Sequence, residues 1–132
     1  GDKNIAAAVK FLVELDGHCR DIPNRTVRIK FVLAAYNGGS YHVRDAMALT
    51  RKHGRDPHRW NDVSQYILAL SQPQYYNDPV VKNGYMRGTE TEDYVRRIIS
   101  RWNGYRGIKT AAHMNTTGVP QKAHHKKKKY KI

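Results

Sequence analysis

A hydroxyl group and an amide group stand side by side at Tyr36 and Asn37, directly before a pair of glycines. Apolar residues precede them at helical spacing, so both side chains are expected at the C-terminal end of a helix, where Asn is a common stop. There they could orient a carboxylic acid or hold the acetamido group of a sugar. They could equally be a buried Tyr and a helix-terminating Asn, and the pattern alone leaves both interpretations open.

A tyrosine-rich segment, residues 72–86, offers further candidate contacts in Tyr75, Tyr76 and Tyr85. Aromatic rings can stack on sugar rings while their hydroxyl groups form hydrogen bonds. The same three rings could instead only attach a long loop to the neighbouring helices. Both interpretations remain open for this segment.

Two more candidates lie at the start of the last predicted helix. Glu90 falls in the first helical turn, where a carboxylate satisfies free amides and the helix dipole, so a ligand contact is its second interpretation. Tyr94 belongs to an apolar stripe that includes Ile98, which is compatible with either a core position or the wall of a cleft.

Metal-dependent and thiol chemistry are not expected. The seven histidines show no ligand spacing supported by Cys or carboxylate residues, so we expect no metal site and no cofactor. Cys19 is the single cysteine, which excludes an intrachain disulfide, and no sequence signal pairs it with a base.

The length, charge distribution and apolar content of the chain limit the architectures that it can adopt. The 132 residues suit one domain, and the net charge of +13 is unevenly distributed, because residues 107–132 carry seven lysines and no acidic residue. No apolar run approaches the roughly 20 residues of a membrane span. The first residues, from Gly1, do not have the pattern of a secretory signal peptide.

Helical periodicity predicts an all-α, mainly helical fold with about five helices in a domain of residues 1–106. Residues 107–132 lack an apolar period and are predicted to form a disordered Lys-rich tail. Ser40 is expected to cap the third helix, and Thr89-x-x-Glu92 has the form of a capping box for the last. The predicted helices span residues 3–16, 25–36, 41–53, 61–71 and 89–105.

The same periodicity predicts which faces are buried. The first helix should bury a stripe of Ile5, Ala8, Leu12 and Leu15. The second is apolar on all sides, which predicts a buried central helix, with a main stripe of Ile29, Val32, Leu33 and Tyr36. The third should bury Val43, Ala46, Met47 and Leu49, and the fourth Val63, Tyr66, Ile67 and Leu70.

Three segments together resemble the lytic transglycosylases with the goose-type lysozyme-like fold. They are Ala35-Tyr36-Asn37-Gly38, the helix Asn4-Ile5-Ala6-Ala7-Ala8 with Phe11-Leu12, and Glu90-Thr91-Glu92-Asp93-Tyr94-Val95. Their order and spacing agree with the family, although Ala8 stands where the family has Gly. The segment 71–86 is similar to the F-type membrane-bound murein transglycosylases. The resemblance extends over about residues 3–106.

The resemblance implies non-hydrolytic cleavage of the β-1,4 bond between N-acetylmuramic acid and N-acetylglucosamine in peptidoglycan. A single Glu would protonate the glycosidic oxygen and then, as a carboxylate, deprotonate the muramyl 6-hydroxyl to close a 1,6-anhydro ring. Such a residue needs a pKa raised by a partly apolar cleft. The implied substrate-binding residues in this chain are Tyr36, Asn37, Tyr94, Glu90, Tyr75 and Tyr76.

The chain departs from the family in one respect. The family's Glu-Ser and Gly-Leu-Met-Gln motifs precede the Asn-Ile helix, and neither occurs in this sequence. We therefore expect no catalytic residue within the chain, the acid lying upstream of Gly1, and we expect the chain alone to be inactive. It is interpreted as the C-terminal part of a transglycosylase domain.

The expected partner is the glycan strand of peptidoglycan, together with the absent N-terminal lobe or a second copy of the chain. The resemblance implies the cell envelope or periplasm, with outer-membrane association only through an N-terminal region. A non-catalytic glycan-binding module is the alternative. A further alternative is a polyanion or nucleic-acid binder acting through Lys126–Lys129; the motifs disfavour it, because they lie outside the tail.

Overall fold

The computed structural model describes residues 2–117, with side chains described for residues 4–107. This part of the chain forms six helices and no strand, which confirms the all-α prediction. The helices are α1 (Asp2–His18), α2 (Arg25–Gly38), α3 (Ser40–Lys52), α4 (Trp60–Ala69), the short α5 (Pro73–Tyr76) and α6 (Gly88–Thr117).

The chain divides into two units, the first ending at Val95 and the second beginning at Arg96. The first contains α1 to α5 and the start of α6. In the second, α6 continues and Trp102 stacks on Tyr105 with ring centroids 6.5 Å apart.

The last helix is longer than the predicted range 89–105, because α6 reaches Thr117. The apolar periodicity, which ends near Gly107, indicates which helical residues pack against neighbours. A helix can continue beyond its packed part, because its residues also have an intrinsic helix propensity. The first residues of the predicted tail are therefore helical. The rest, residues 118–132 with the Lys126–Lys129 run, lies outside the described residues, and its disorder stays a prediction.

Helix α2 is the centre of the first unit and contacts α1, α3 and α4. Its start is fixed by Asn24, whose side-chain oxygen accepts hydrogen bonds from the backbone amides of Thr26 (2.9 Å) and Val27 (3.1 Å). Phe31 is fully buried and meets Trp60 edge-on at 5.3 Å between ring centroids. The prediction of a central helix is thereby confirmed.

The predicted main stripe of α2 is wrong in part. Val32 is buried, but Ile29 and Tyr36 are 46% and 39% exposed. The core is built instead on the side of α2 that carries Phe31, Ala34 and Ala35. A helix that is apolar all round cannot reveal by periodicity which face its neighbours cover.

Helix α1 differs from its prediction in the same way. Of its predicted stripe only Leu15 is buried, and Ile5 is 65% exposed. The end of α1 is held by Arg28 of α2, which pairs with Asp16 at 3.2 Å and donates to the carbonyl of Ile22. Toward its N-terminus α1 presents apolar side chains that no described residue covers: Ile5, Val9 and Val13.

Helices α3 and α4 agree with the sequence pattern. Every predicted inward residue of α3 is buried, and so are Val63, Ile67 and Leu70 at α4, while Tyr66 is half-buried. Ser40 is the first residue of α3 and not its cap. Gly39 takes the cap position with φ +98°, because it alone separates α2 from α3.

An ion pair fastens the α1–α2 connection to α3. The guanidinium group of Arg44 donates to both carboxylate oxygens of Asp21, at 2.9 and 3.2 Å, and also to the carbonyl of His18. The hydrogen bond from Arg44 lowers the pKa of Asp21 below its ordinary value. Since the charged carboxylate is the favoured form, this connection is held most firmly above that pKa.

The start of α6 lies against the end of α4 at a distance that only glycine permits. A Cβ atom added to Gly88 would lie 1.8 Å from the carbonyl oxygen of Ile67 and 3.1 Å from the Cα atom of Leu68. Both are backbone atoms and cannot rotate away. Gly88 is therefore the residue that allows α6 to begin at this place.

We expect Gly88→Ala to destabilise the chain by about 3 kcal/mol or more, because the added methyl group forces the α4 and α6 backbones apart. Gly17→Ala is the matched control. Gly17 lies in α1, and a Cβ atom added there would have nothing within 4 Å, so alanine should be neutral or stabilising by up to about 1 kcal/mol. Urea unfolding followed by circular dichroism measures both; equal stabilities would contradict the close approach.

Candidate functional site

A cavity of about 350 Å³ lies where the end of α2, the start of α3 and the start of α6 meet. It is entirely within the first unit. Polar and apolar groups alternate along its wall, as in sites that hold a polar ligand by a few hydrogen bonds. The lining residues are Asn37, Gly38, His42, Tyr85, Met86, Arg87, Glu90 and Thr91.

A hydrogen bond between residues 54 positions apart forms one wall of this cavity. The hydroxyl of Thr91, which is 2% exposed, donates to the side-chain oxygen of Asn37 at 2.9 Å. The bond fixes the orientation of the Asn37 amide. Its NH₂ group is left without a partner among the described residues, so it is the group available to a ligand acceptor such as a carbonyl oxygen.

The contact between Asn37 and Thr91 depends on Gly38. A Cβ atom at Gly38 would lie 2.5 Å from the Thr91 hydroxyl oxygen and 2.6 Å from the Cε atom of Met86. A larger residue would displace the Thr91 hydroxyl group and the end of the Met86 side chain. The glycine that follows Asn37 thus serves tertiary packing as well as helix termination.

Charged groups lie at the mouth of the cavity. Arg87 and Glu90 pair at 3.2 Å, with side chains 73% and 61% exposed. Such an exposed surface pair contributes little to stability. The side chain of Glu90 is therefore open to solvent at the mouth of the cavity.

His42 contributes an enclosed imidazole to the same wall. Its Nδ1 atom is shielded from solvent and has no hydrogen-bond partner among the described residues. A ligand group that reached this nitrogen could form the hydrogen bond that the described residues do not supply.

The carboxyl groups of the described residues can be compared with the glycosidase acid that the family uses. The one buried carboxylate there, Asp45, accepts hydrogen bonds from the backbone amides of Lys82 (3.0 Å) and Asn83 (2.9 Å). Where a carboxyl pKa departs from its ordinary value, it is lowered by hydrogen bonds and basic neighbours, as at Asp21, Asp62 and Asp78. Protonation before catalysis requires a raised pKa.

The structure brings two of the six predicted binding residues to the cavity wall, Asn37 and Glu90. Tyr76 does not line the cavity, but its ring packs edge-on against the ring of Tyr85, with ring centroids 5.8 Å apart. The sequence offers Tyr85 only as one of three loop rings, yet its side chain is the one that lines the cavity.

The remaining three predicted residues lie elsewhere. Tyr36 does not line the cavity and packs against Phe11 of α1 with ring centroids 5.7 Å apart. Tyr75 packs against Tyr66 at 6.4 Å and is also near His53. Tyr94 is half-buried and absent from the wall. Sugar binding by these three tyrosines stays a prediction.

The sequence pattern does not single out Thr91, His42 or Met86. Thr91 stands inside a family-like segment, but its buried hydrogen bond to Asn37 arises from tertiary packing. His42 follows the Ala-Tyr-Asn-Gly segment in the sequence, but no pattern assigns it a binding role, and within the described residues no group of three or more metal-binding side chains is found.

A second concavity, a groove of about 710 Å³, runs between α1 and α2. Its floor is apolar and its rim carries charged groups. The side chains that line it are Val9, Leu12, Val13, Asp16, Arg20, Arg25, Arg28, Ile29, Val32 and Leu33.

No protein-family model matches the chain. Individual relatives do. The chain is 36% identical over 102 residues to a membrane-bound lytic murein transglycosylase F of Desulfosudis oleivorans, and the match includes 77% of the chain and 22% of that relative. It is 41% identical over 96 residues to the protein of the same name from Klebsiella pneumoniae, including 73% of the chain and 18% of the relative.

A third relative of that name, from Cellvibrio japonicus, is 44% identical over 71 residues, which are 54% of the chain and 14% of the relative. The chain thus spans about a fifth or less of the length of the curated relatives it matches.

Replacing Thr91 by Val tests the buried hydrogen bond. We expect a loss of about 1–3 kcal/mol, because the Asn37 oxygen is left without its donor while the side-chain shape is preserved. Thr50→Val is the control: Thr50 is fully buried, but its hydroxyl donates at 2.7 Å to the Ala46 carbonyl, which is already a helix acceptor. That variant should lose less than about 1 kcal/mol in urea unfolding. A reversed order would contradict the assignment.

Proposed function

The chain belongs to the lytic murein transglycosylase family, and from this premise we propose that it forms the glycan-holding part of a domain that cleaves peptidoglycan. The reaction is the non-hydrolytic cleavage of the β-1,4 bond between N-acetylmuramic acid and N-acetylglucosamine, with a 1,6-anhydromuramyl product. The single observation that carries this proposal is the cavity at Asn37, which joins two of the three family-like segments at one wall.

The cavity supplies the groups that an N-acetylated sugar needs. The free NH₂ group of Asn37 is placed to donate to an acetamido carbonyl, and its oxygen is already held by Thr91. Met86 is 2% exposed and forms part of the fixed apolar wall of the cavity. Arg87 at the mouth suits the carboxylates of a peptidoglycan strand.

The chemical step requires a proton donor, which we propose lies outside this chain. By the resemblance, that Glu is expected N-terminal to the α1 segment; it would first protonate the glycosidic oxygen and then accept the proton of the muramyl 6-hydroxyl. The residues described above bind and orient the sugar. We therefore propose that the chain alone binds glycan and does not cleave it.

The exposed apolar side chains of α1 and α2 support the proposal that another protein surface covers this part of the chain. Val9, Val13 and Ile29 are about half or more exposed, with exposures of 54%, 66% and 46%, and Val9 and Val13 share the 710 Å³ groove with Ile29. Solvent-exposed apolar surface costs roughly 25 cal/mol per Å² relative to burial. We propose that the acid-bearing remainder of the transglycosylase domain covers this groove; self-association is the other outcome that sedimentation would detect.

The names of the relatives point to the cell envelope, where their murein substrate lies, and we propose the same location for this chain. Among the described residues, no helix combines the length and apolar character needed to cross a membrane. Membrane association would come through sequence outside this segment. Binding of polyanions by the Lys126–Lys129 run stays an alternative hypothesis.

Inertness can be tested on the natural polymer. When the purified chain is incubated with murein sacculi, we expect no 1,6-anhydromuropeptides by mass spectrometry, because the Glu-Ser motif that carries the family's acid does not occur in this sequence. A full-length murein transglycosylase F is the positive control. Product that disappears in Glu90→Gln would show that Glu90 is the acid and overturn the proposal.

Glycan binding can be tested in the absence of cleavage. Chitotetraose titrated into ¹⁵N-labelled chain should shift the amide signals of Asn37 and Thr91. Asn37→Ala should weaken binding about tenfold, because it removes the donor to the acetamido group. Asn61→Ala is the matched control, since Asn61 is exposed on α4 and does not line the cavity. Equal affinities in the two variants would contradict the assigned site.

A further inference from the structure

Tyr85 occupies a distinctive position on the cavity wall. It is the aromatic residue among the lining side chains, and it is 54% exposed, so part of the ring is accessible from solvent. The ring of Tyr76 packs edge-on against it, with ring planes 86° apart. A supported, accessible aromatic ring beside hydrogen-bonding groups is a surface on which the C–H face of a pyranose ring can stack.

The backbone on both sides of Tyr85 is fixed by hydrogen bonds. The amide of Asn83 donates to Asp45 at 2.9 Å, and the amide of Met86 donates to the carbonyl of Leu70 at 3.1 Å. Only Gly84 and Tyr85 lie between these two anchors. Gly84 has φ +67°, a conformation that glycine adopts without strain, and this permits the turn that connects them.

Asp45 is an unusual anchor, because it is an acidic side chain on a helix face and is 3% exposed. Each of its two carboxylate oxygens accepts one backbone amide, from Lys82 at 3.0 Å and from Asn83 at 2.9 Å. Hydrogen bonds to an ionised acceptor are stronger than those between neutral groups. Two such bonds on adjacent residues fix both the position and the direction of the loop that leads into Tyr85.

We propose that Tyr85 forms a sugar-stacking subsite on the wall of the Asn37 cavity, and that Asp45 is the positioning residue that holds it there. This inference rests on the proposed glycan-binding function and adds to it a second contact, apolar in character and independent of the Asn37 amide. The ligand is an N-acetylated β-1,4-linked saccharide. The acetamido oxygen of one sugar accepts a hydrogen bond from Asn37 while a pyranose face lies on Tyr85.

The subsite is tested with chitotetraose and the full chain, by NMR titration. Tyr85→Ala should weaken binding about tenfold, and Tyr85→Phe should stay within about twofold of the original affinity, because the ring is what stacks. Tyr41→Ala is the matched control: Tyr41 is 74% exposed in the same unit and does not line the cavity. Its affinity should be unchanged.

The role of Asp45 is tested by a double-mutant cycle. Asp45→Asn replaces one acceptor oxygen by an NH₂ group that opposes a backbone amide, so binding should weaken about tenfold. If Asp45 acts through Tyr85, the same substitution should change the affinity by less than about twofold when Tyr85 is already Ala. Additive losses in the cycle would overturn the positioning role.

A spectroscopic measurement separates positioning from general stability. In the Asp45→Asn variant, saccharide-induced shifts should disappear at Tyr85 and persist at Asn37 and Thr91, while the amide signals of Lys82 and Asn83 move. If that variant does not fold, Gly84→Ala provides the second test, because it disturbs the same turn and leaves Asp45 intact. Tyr85 shifts that persist in the variant that folds would contradict the proposal.

Different results would contradict the glycan-binding function and the Tyr85 subsite. If the unmodified chain shows no saccharide-induced shift at millimolar chitotetraose, the glycan-binding function and the subsite both fail. If the unmodified chain and Tyr85→Ala bind equally while Asn37→Ala binds weakly, the subsite alone fails and the function stands.

Discussion

The close approach of the start of α6 to the ends of α2 and α4 is the constraint on which the rest of the candidate site depends. Gly88 allows the α6 backbone to touch Ile67, and Gly38 allows Thr91 to reach Asn37. A side chain at Gly88 would meet the backbone of α4, and one at Gly38 would meet the side chains of Thr91 and Met86. Because protein interiors are close-packed, a shift of the α6 start would be transmitted directly to the cavity wall. Two glycines thereby join two family-like segments that lie far apart in the sequence.

The cavity and the groove between α1 and α2 have different physical characters. The cavity has a fixed amide, an enclosed imidazole and an ion pair at its mouth, which suits a polar, intermittently bound ligand such as a saccharide. The groove has an apolar floor and exposed valines, which suits permanent burial against protein. This contrast agrees with a chain that contacts substrate through one surface and the acid-bearing remainder of its domain through the other.

The carboxyl groups bear on the proposal that the acid lies outside this chain. A residue that serves first as acid and then as base must be desolvated and protonated at the outset. In the described residues, the buried carboxylate of Asp45 accepts hydrogen bonds from two backbone amides, and the side chain of Glu90 is exposed beside Arg87. Neither carboxylate combines burial with an apolar environment and a free position on the cavity wall.

The sequence by itself determined the helical class, the buried faces of α3 and α4 and the family, because these follow from local periodicity and from short motifs. It also indicated Asn37 and Glu90, which the fold brings to one cavity wall. It could not decide which apolar face of α2 was covered, nor that Ile5 of the predicted α1 stripe would stay exposed, since both depend on which neighbours are present. The positions of Thr91, Asp45 and Tyr85 were decided by tertiary structure alone, because their partners lie far away in the sequence and periodicity carries no information about such pairings.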